Sequence, residues 1–258
     1  MARARRRRVD PEKSGITVFR ALAGIVLPLV GLLAKIEIQG EENLPEEGPY
    51  VLAPNHYSEF DPLVVCVALW RLGRAPRFMA KESLFRIPVV GWALRVTGMV
   101  PVPRAASSVA AKHTLDTARH LVERGAGITV YPEGTLTRDP DMWPMRGKTG
   151  AARLAMAGDI PLIPAAHWGV QEIMPRYGKL RLWPLRKRVT FAFGPALVID
   201  EQAREHPNQT TEQSRVTAQL MDEIAELLAG IRNEPAPATR WNPNDHGQRE
   251  TGRLEPEN

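Results

Sequence analysis

The chain has 258 residues and 43% hydrophobic content, enough to bury one sizeable core, so a single domain is the default. Its 34 Lys and Arg against 29 Asp and Glu leave a net charge of +5, and Arg3, Arg5, Arg6, Arg7 and Arg8 together equal that excess. The lone cysteine, Cys66, excludes an intrachain disulfide, argues against a thiolate metal centre and fits a reducing, cytoplasmic compartment.

After the arginines, residues 21–34 form an uncharged, apolar run between Arg20 and Lys35. A spanning helix needs about twenty apolar residues, so this run is short for crossing a bilayer. A secretory signal would end in a small-residue cleavage site. Here Lys35-Ile36-Glu37-Ile38-Gln39 follows, alternating like a strand. The run predicts a helix lying in the cytoplasmic leaflet with the arginines on anionic headgroups. A buried N-terminal helix is the alternative.

Strands are predicted at 35–39, 50–53, 77–80, 99–102, 128–131, 162–167 and 189–193. Helices are predicted at 62–72, 89–96, 107–124, 149–157 and 211–229. This alternation implies an α/β fold with a largely parallel central sheet flanked by helices. Cys66, inside an apolar segment, reads as a small core residue. Arg181, Arg186, Lys187 and Arg188 are interleaved with Leu182, Trp183 and Leu185. Such a cluster suits anionic lipid, an acidic carrier protein, CoA phosphates or nucleic acid, and charge alone does not choose. The division is a basic segment 1–15, a membrane-associated helix 16–34, a folded domain 35–232 and a tail 233–258. The tail is polar and proline-rich, and is expected to be disordered.

Two segments carry chemistry. In Asn55-His56-Tyr57-Ser58-Glu59-Phe60-Asp61-Pro62 a histidine precedes a carboxylate by five residues. A carboxylate can fix an imidazole tautomer and stabilise the imidazolium formed when it takes a hydroxyl proton. On one helix the two side chains would be roughly 140° apart, so they meet only if the chain turns first. Pro62 suits a first helical position, and Asp61 as a mere N-cap is the competing reading. In Tyr131-Pro132-Glu133-Gly134-Thr135 a carboxylate and a glycine turn follow an apolar strand, where ligands bind in open α/β sheets. Arg104 also follows a strand, and a guanidinium there could hold a phosphate.

The order and spacing of these segments resemble the glycerolipid acyltransferase family typified by 1-acyl-sn-glycerol-3-phosphate acyltransferase. The matching blocks are Asn55–Asp61, Gly98–Arg104, Pro132–Thr135 and Ile160–Ala165, within about residues 35 to 200. The resemblance implies transfer of a fatty acyl group from acyl-CoA or acyl-carrier protein to 1-acyl-sn-glycerol 3-phosphate, giving phosphatidic acid. It makes His56 the general base, with Asp61 orienting it. Arg104 would bind the acceptor phosphate, Glu133, Gly134 and Thr135 would position the acceptor, and Pro164 would shape the site. Residues 35–232 would be the acyltransferase domain. Two departures stand out: Leu136 occupies a place where the family often has arginine, and Pro101-Val102-Pro103 precedes Arg104. Phosphate contact is therefore also assigned to Arg138, Arg146 or Lys148, or the acceptor is another polar lipid or glycerol 3-phosphate.

Direct transfer is favoured over an acyl-enzyme, since no G-x-S-x-G elbow occurs and Cys66 is flanked by apolar residues. Backbone N–H groups near Gly134 are the expected oxyanion donors. The Arg146-Gly147-Lys148-Thr149 segment lacks Walker spacing. No cofactor or metal is expected, because His113, His120 and His167 lack partners at ligand spacing. The expected partners are the acyl donor, a lysophospholipid and an anionic membrane surface, with no nucleic acid. The expected location is the cytoplasmic face of the cell membrane, peripheral or monotopic.

Overall fold

The computed structural model describes residues 16–103, 108–249 and 252. The apolar run forms helix α1 (Ile16–Leu33), which passes directly into strand β1 (Ala34–Gln39). In chain order follow β2 (Tyr50–Pro54), α2 (Asp61–Arg71), β3 (Met79–Lys81), α3 (Pro88–Val96), β4 (Val100–Val102) and α4 (Ser108–Glu123). Then come β5 (Gly127–Thr129), α5 (Gly150–Gly158), β6 (Leu162–Trp168), β7 (Lys187–Phe193), α6 (Glu201–Glu205) and α7 (Thr210–Arg232). Every predicted strand and helix is present with shifted ends. Helix α6, unpredicted, is only five residues long, too short to display a 3.6-residue period. Its start is nonetheless encoded, because the Asp200 carboxylate accepts the Ala203 N–H as an N-cap.

The main sheet has the order β1-β7-β6-β2-β5, and a second pair, β3-β4, adjoins it through the bridge of Phe78 to Thr129. Three of the four pairings in the main sheet are parallel, and β6 with β7 is antiparallel. The sheet is thus mixed: β1 and β7 run together, opposite to β6, β2 and β5. The connection from β6 to β7 contains no α-helix, so β7 can return beside β6 in the reverse sense, whereas parallel neighbours need a crossover.

Side chains of β2 alternate between two apolar layers. Tyr50 and Leu52 join a cluster with Val64, Val65, Ala68 and Leu69 of α2 and Val30 and Leu33 of α1. Val51 and Ala53 join another with Ala118 and Val122 of α4, Ala151 and Ala155 of α5, and Leu220 and Ile224 of α7. Burial on both faces is what a central parallel strand requires, and it explains the near-continuous apolar run there.

Helix α1 is half-committed to this core. Phe19, Val30 and Leu33 are buried, whereas Leu22, Ile25, Leu29 and Leu32 are exposed. Among the described residues, no helix is long and apolar enough to cross a membrane. Residues 233–249, expected to form a disordered tail, include a short 3-10 turn at Pro243–His246 and lie against the domain. Trp241 accepts the Arg146 N–H through its carbonyl and stacks on His246, and Arg240 pairs with Asp222 of α7. These contacts to the domain are made by one backbone carbonyl and one guanidinium, which average composition does not register.

Gly127 and Tyr50 are register partners on β5 and β2, and a Cβ at Gly127 would come within 2.1 Å of the Tyr50 ring. That ring is also held from its other neighbour by the Arg74 guanidinium, 4.8 Å from its centroid. Gly127→Ala is expected to lower stability by about 1–3 kcal/mol through overpacking. Urea unfolding checks this: an unchanged midpoint would mean the ring moves aside without cost.

Candidate active site

The chain leaves β2 at Pro54 and turns before α2 begins at Asp61, so His56 and Asp61 do not share a helix. The turn brings His56 Nδ1 to 2.9 Å from Asp61 Oδ2. The same oxygen accepts the Tyr57 and Ser58 N–H groups at 2.7 and 2.8 Å. Asp61 is therefore not an N-cap. It occupies the first turn of α2, and its carboxylate points back at the loop it follows rather than at the helix's own amides. A negative charge in a first helical turn is also favoured by the helix dipole.

Because an ionised Asp61 accepts at Nδ1, neutral His56 carries its proton there and presents the Nε2 lone pair. The imidazole stacks on the Tyr131 ring, with centroids 4.0 Å apart, which restricts its rotation. Its backbone is held as firmly. The His56 N–H donates to Glu133 Oε1 at 2.8 Å, and the His56 carbonyl accepts the Thr137 N–H at 2.7 Å. The loops after β2 and β5 are thus zipped together at the carboxyl ends of adjacent strands.

Glu133 is fully buried, and its second oxygen accepts the Met145 N–H at 3.2 Å. Both oxygens accept from backbone amides, so the carboxyl group acts as a strut that holds the His56 backbone rather than as an open contact for a substrate. Burial pushes its carboxyl up to about 8, against the pull of the Met145 and His56 amides. Gly134 takes the positive φ of 70° that the turn demands, and its N–H donates to the Tyr131 carbonyl, so it is not an available oxyanion donor. Thr135 Oγ1 donates to the Gly252 carbonyl at 3.4 Å.

Among the cations, Lys148 is exposed and its stem lies over Gly134, with Cδ 3.1 Å from where a Cβ would stand. It lines a cleft of about 510 Å³ together with Glu133, Arg146, Arg240 and Thr217. Arg138 is buried and donates to the Gly252 carbonyl at 2.7 Å and the Tyr177 hydroxyl at 3.3 Å. Leu136 is buried as well. Arg104 lies outside the described residues. Pro164 is buried in β6 opposite Ala53, and its ring adjoins Gly194 beside Leu227 of α7. Its strand neighbours Ile163 and Ala165 join the cluster that contains Tyr57, so alternation puts Pro164 on the other sheet face from His56.

Sequence spacing missed His167. This histidine, at the end of β6, is fully buried with Nε2 3.9 Å from Asp61 Oδ2. Burial lowers its pKa, which keeps it neutral. Nε2–H donates to the Asn55 carbonyl at 3.1 Å, and Nδ1 accepts the Tyr57 hydroxyl at 3.2 Å. Asn55 in turn accepts the His167 N–H at 2.9 Å and donates its amide to the His167 carbonyl at 3.1 Å. The Asn55 side chain thereby continues the β2–β6 ladder past the last strand pair. Only adjacency of β2 and β6, invisible in a single sequence, could have revealed this. Among the described residues no group of His, Cys, Asp and Glu could hold a metal ion.

A neutral imidazole fixed by a buried carboxylate at the ends of parallel strands can deprotonate a hydroxyl. The described nucleophiles near it are spoken for: Ser58 Oγ donates to the Met174 carbonyl, and burial pushes the Cys66 thiol up to about 12. Such a site suits a group-transfer enzyme. Residues 35–168, just over half of the chain, match the Acyltransferase family, and the chain belongs to it. It is 36% identical over 142 residues to a chloroplastic 1-acyl-sn-glycerol-3-phosphate acyltransferase of Brassica napus, covering 55% of this chain and 39% of that one. A Chlamydomonas reinhardtii protein of the same description is 31% identical over 206 residues, covering 79% and 57%. The chain thus spans well under two thirds of these relatives. The crystal structure of the 1-acyl-sn-glycerophosphate acyltransferase of Thermotoga maritima shares the fold, with a TM-score of 0.60 at 23% identity over 85% of this chain and 83% of that one.

The Glu133 carboxyl gives a pH test. Its folded value of about 8 exceeds its ordinary 4.5, so the native state holds a proton that the unfolded chain releases between these values. Its contribution to stability therefore falls as pH rises from 4.5 to about 8. Urea midpoints of the wild type and Glu133→Gln across that window should show a shallower decline in the variant. Equal slopes would mean that the carboxyl is ionised in the fold.

Proposed function

We propose that this protein transfers a fatty acyl group from acyl-CoA or acyl-carrier protein to the free hydroxyl of 1-acyl-sn-glycerol 3-phosphate, forming phosphatidic acid. The observation that carries this reading is the 2.9 Å contact of His56 Nδ1 with Asp61, which leaves Nε2 as the base. The similarity to two 1-acyl-sn-glycerol-3-phosphate acyltransferases supports the acceptor.

His56 Nε2 takes the acceptor proton as the hydroxyl oxygen attacks the thioester carbonyl. The C–S bond then breaks, the thiolate leaves, and the imidazolium returns the proton to sulfur. Asp61 stabilises the imidazolium between these events. Glu133 and Thr137 hold the His56 backbone, so the base meets the hydroxyl in a fixed orientation. Lys148 binds the acceptor phosphate at the cleft beside Gly134, and Arg104, which lies outside the described residues, is the second phosphate contact that the family pattern suggests. Residues 35–232 form the catalytic domain, and α1 lies on the cytoplasmic leaflet through its exposed apolar stripe, peripheral or monotopic.

A second reading, with another polar lipid or glycerol 3-phosphate as acceptor, draws on Leu136 and Arg138. The first is apolar where the family often has arginine, and the second spends its guanidinium on Gly252 and Tyr177. Turnover of one labelled acyl-CoA against a panel of acceptors separates the two.

His56→Ala is expected to reduce turnover by about 10²–10⁴ while the melting temperature stays near that of the wild type. A folded variant with near-normal turnover removes His56 from the mechanism. Lys148→Ala should raise the KM for lysophosphatidate more than that for acyl-CoA. If the acyl-CoA KM rises more, Lys148 belongs to the donor side.

A further inference from the structure

The segment 173–199 contains six Lys or Arg and no Asp or Glu. Its centre projects from the domain as a built loop between β6 and β7. Trp183 is 82% exposed and Leu182 60%, with Leu180 and Leu185 also exposed. Apolar side chains this large usually retreat from water, and a floppy loop would let them. This loop is fastened instead. The Arg181 N–H donates to the Ile173 carbonyl, and Lys187, itself buried, donates its Nζ to the carbonyls of Arg181 and Pro184 at 2.8 and 2.6 Å.

The fastening continues into α1. The Arg186 N–H donates to the Leu32 carbonyl at 3.0 Å, at the last turn of that helix. Leu22, Ile25, Leu29 and Leu32 recur at helical spacing, and all are exposed, so they form one stripe that ends beside the loop. Lys179, Arg181, Arg186 and Arg188 are exposed around the tip. Glu37, the acid near Arg188, is also engaged by Lys35.

We infer that the loop at 180–186 is a second membrane-inserting element, which seats Leu182 and Trp183 in the headgroup region of an anionic bilayer beside the exposed stripe of α1. Tryptophan favours that region because its ring is apolar and its N–H is polar. The encircling basic groups meet lipid phosphates, each adding electrostatic attraction close to the surface. An acidic carrier protein would satisfy the charges, but it would leave a projecting Trp-Leu pair without an apolar phase, whereas a bilayer supplies both. Two attachment points, α1 and the loop, set the domain's tilt on the membrane as a single anchor cannot. The inference rests on the reading of α1 as a leaflet-bound helix, and the test below separates the two.

The full chain is sedimented with phosphatidylcholine vesicles, with and without phosphatidylglycerol. The Leu182→Ser, Trp183→Ser variant should partition about tenfold more weakly, since two apolar side chains lose their burial. The Arg181→Gln, Arg186→Gln variant should lose the preference for anionic vesicles. Both should keep the wild-type melting temperature and the turnover of a detergent-dispersed acceptor. The emission lost in Trp183→Phe should shift to the blue on vesicles and be quenched by brominated lipid. Equal vesicle binding by the wild type and the serine variant overturns the loop proposal and leaves α1 as the anchor. A wild type without vesicle affinity overturns both readings. Unchanged vesicle binding with lost affinity for an acidic acyl-carrier protein reassigns the surface to that protein.

Discussion

A carboxylate with no exposure to solvent organises this molecule. Asp61 Oδ2 gathers three donors, the His56 imidazole and the amides of Tyr57 and Ser58, and compensates a charge that would otherwise be costly to bury. Those three contacts define the path of the chain between β2 and α2. The path fixes His56, and His56 in turn is the partner through which the β5 loop is attached by Glu133 and Thr137. On the other side, Tyr57 and Asn55 carry the same loop onto β6 through His167. His56 therefore acquires its orientation from three neighbouring strands at once, which is the arrangement that lets a side chain on a loop behave as part of a rigid frame.

The sequence made the strands and the His56–Asp61 pair readable for different reasons. Strands such as β2 and β6 are apolar on both faces and short, so they stand out as runs between turn residues. The His56–Asp61 pair was readable because Pro54 and Pro62 bracket a turn, even though five-residue spacing would defeat it on a helix. What was not readable depends on long-range pairing. The reversal of β7 cannot be inferred from its composition, because parallel and antiparallel buried strands share it. His167 lies 106 positions from Asp61 and has no local motif. Pro164 shared a block with the family pattern, but the two-residue alternation of β6 turns it to the far face.

Charge followed a similar division between what counting can and cannot tell. Arg74, Arg77 and Arg138 are all buried, so part of the basic excess belongs to the interior. Arg74 donates to the carbonyls of Pro45 and Gly48, closing the loop before β2. Guanidinium suits that work, since its planar fork satisfies several carbonyls while its weak hydration limits the cost of burial. By contrast, Lys179, Arg181 and Arg186 between β6 and β7 are outward-facing and surround apolar side chains, whereas Arg176 in the same connection braces the carbonyls of Thr137 and Asp139. Equal residue types thus divide into interior braces, such as Arg74, and surface contacts.

The C-terminal stretch draws a boundary that composition would place elsewhere. Arg240 and Pro243 line the same cleft as Lys148, and the Trp241 carbonyl secures the backbone of Arg146 on its rim. A polar, proline-rich ending usually signals chain that can vary freely in length. Here its first part is a wall of the cleft that Lys148 and Arg146 also line, attached after the sheet and its helices are complete. Changes at Arg240 or Pro243 therefore alter the size and charge of that cleft, while the apolar layers on either face of the sheet are built from other parts of the chain.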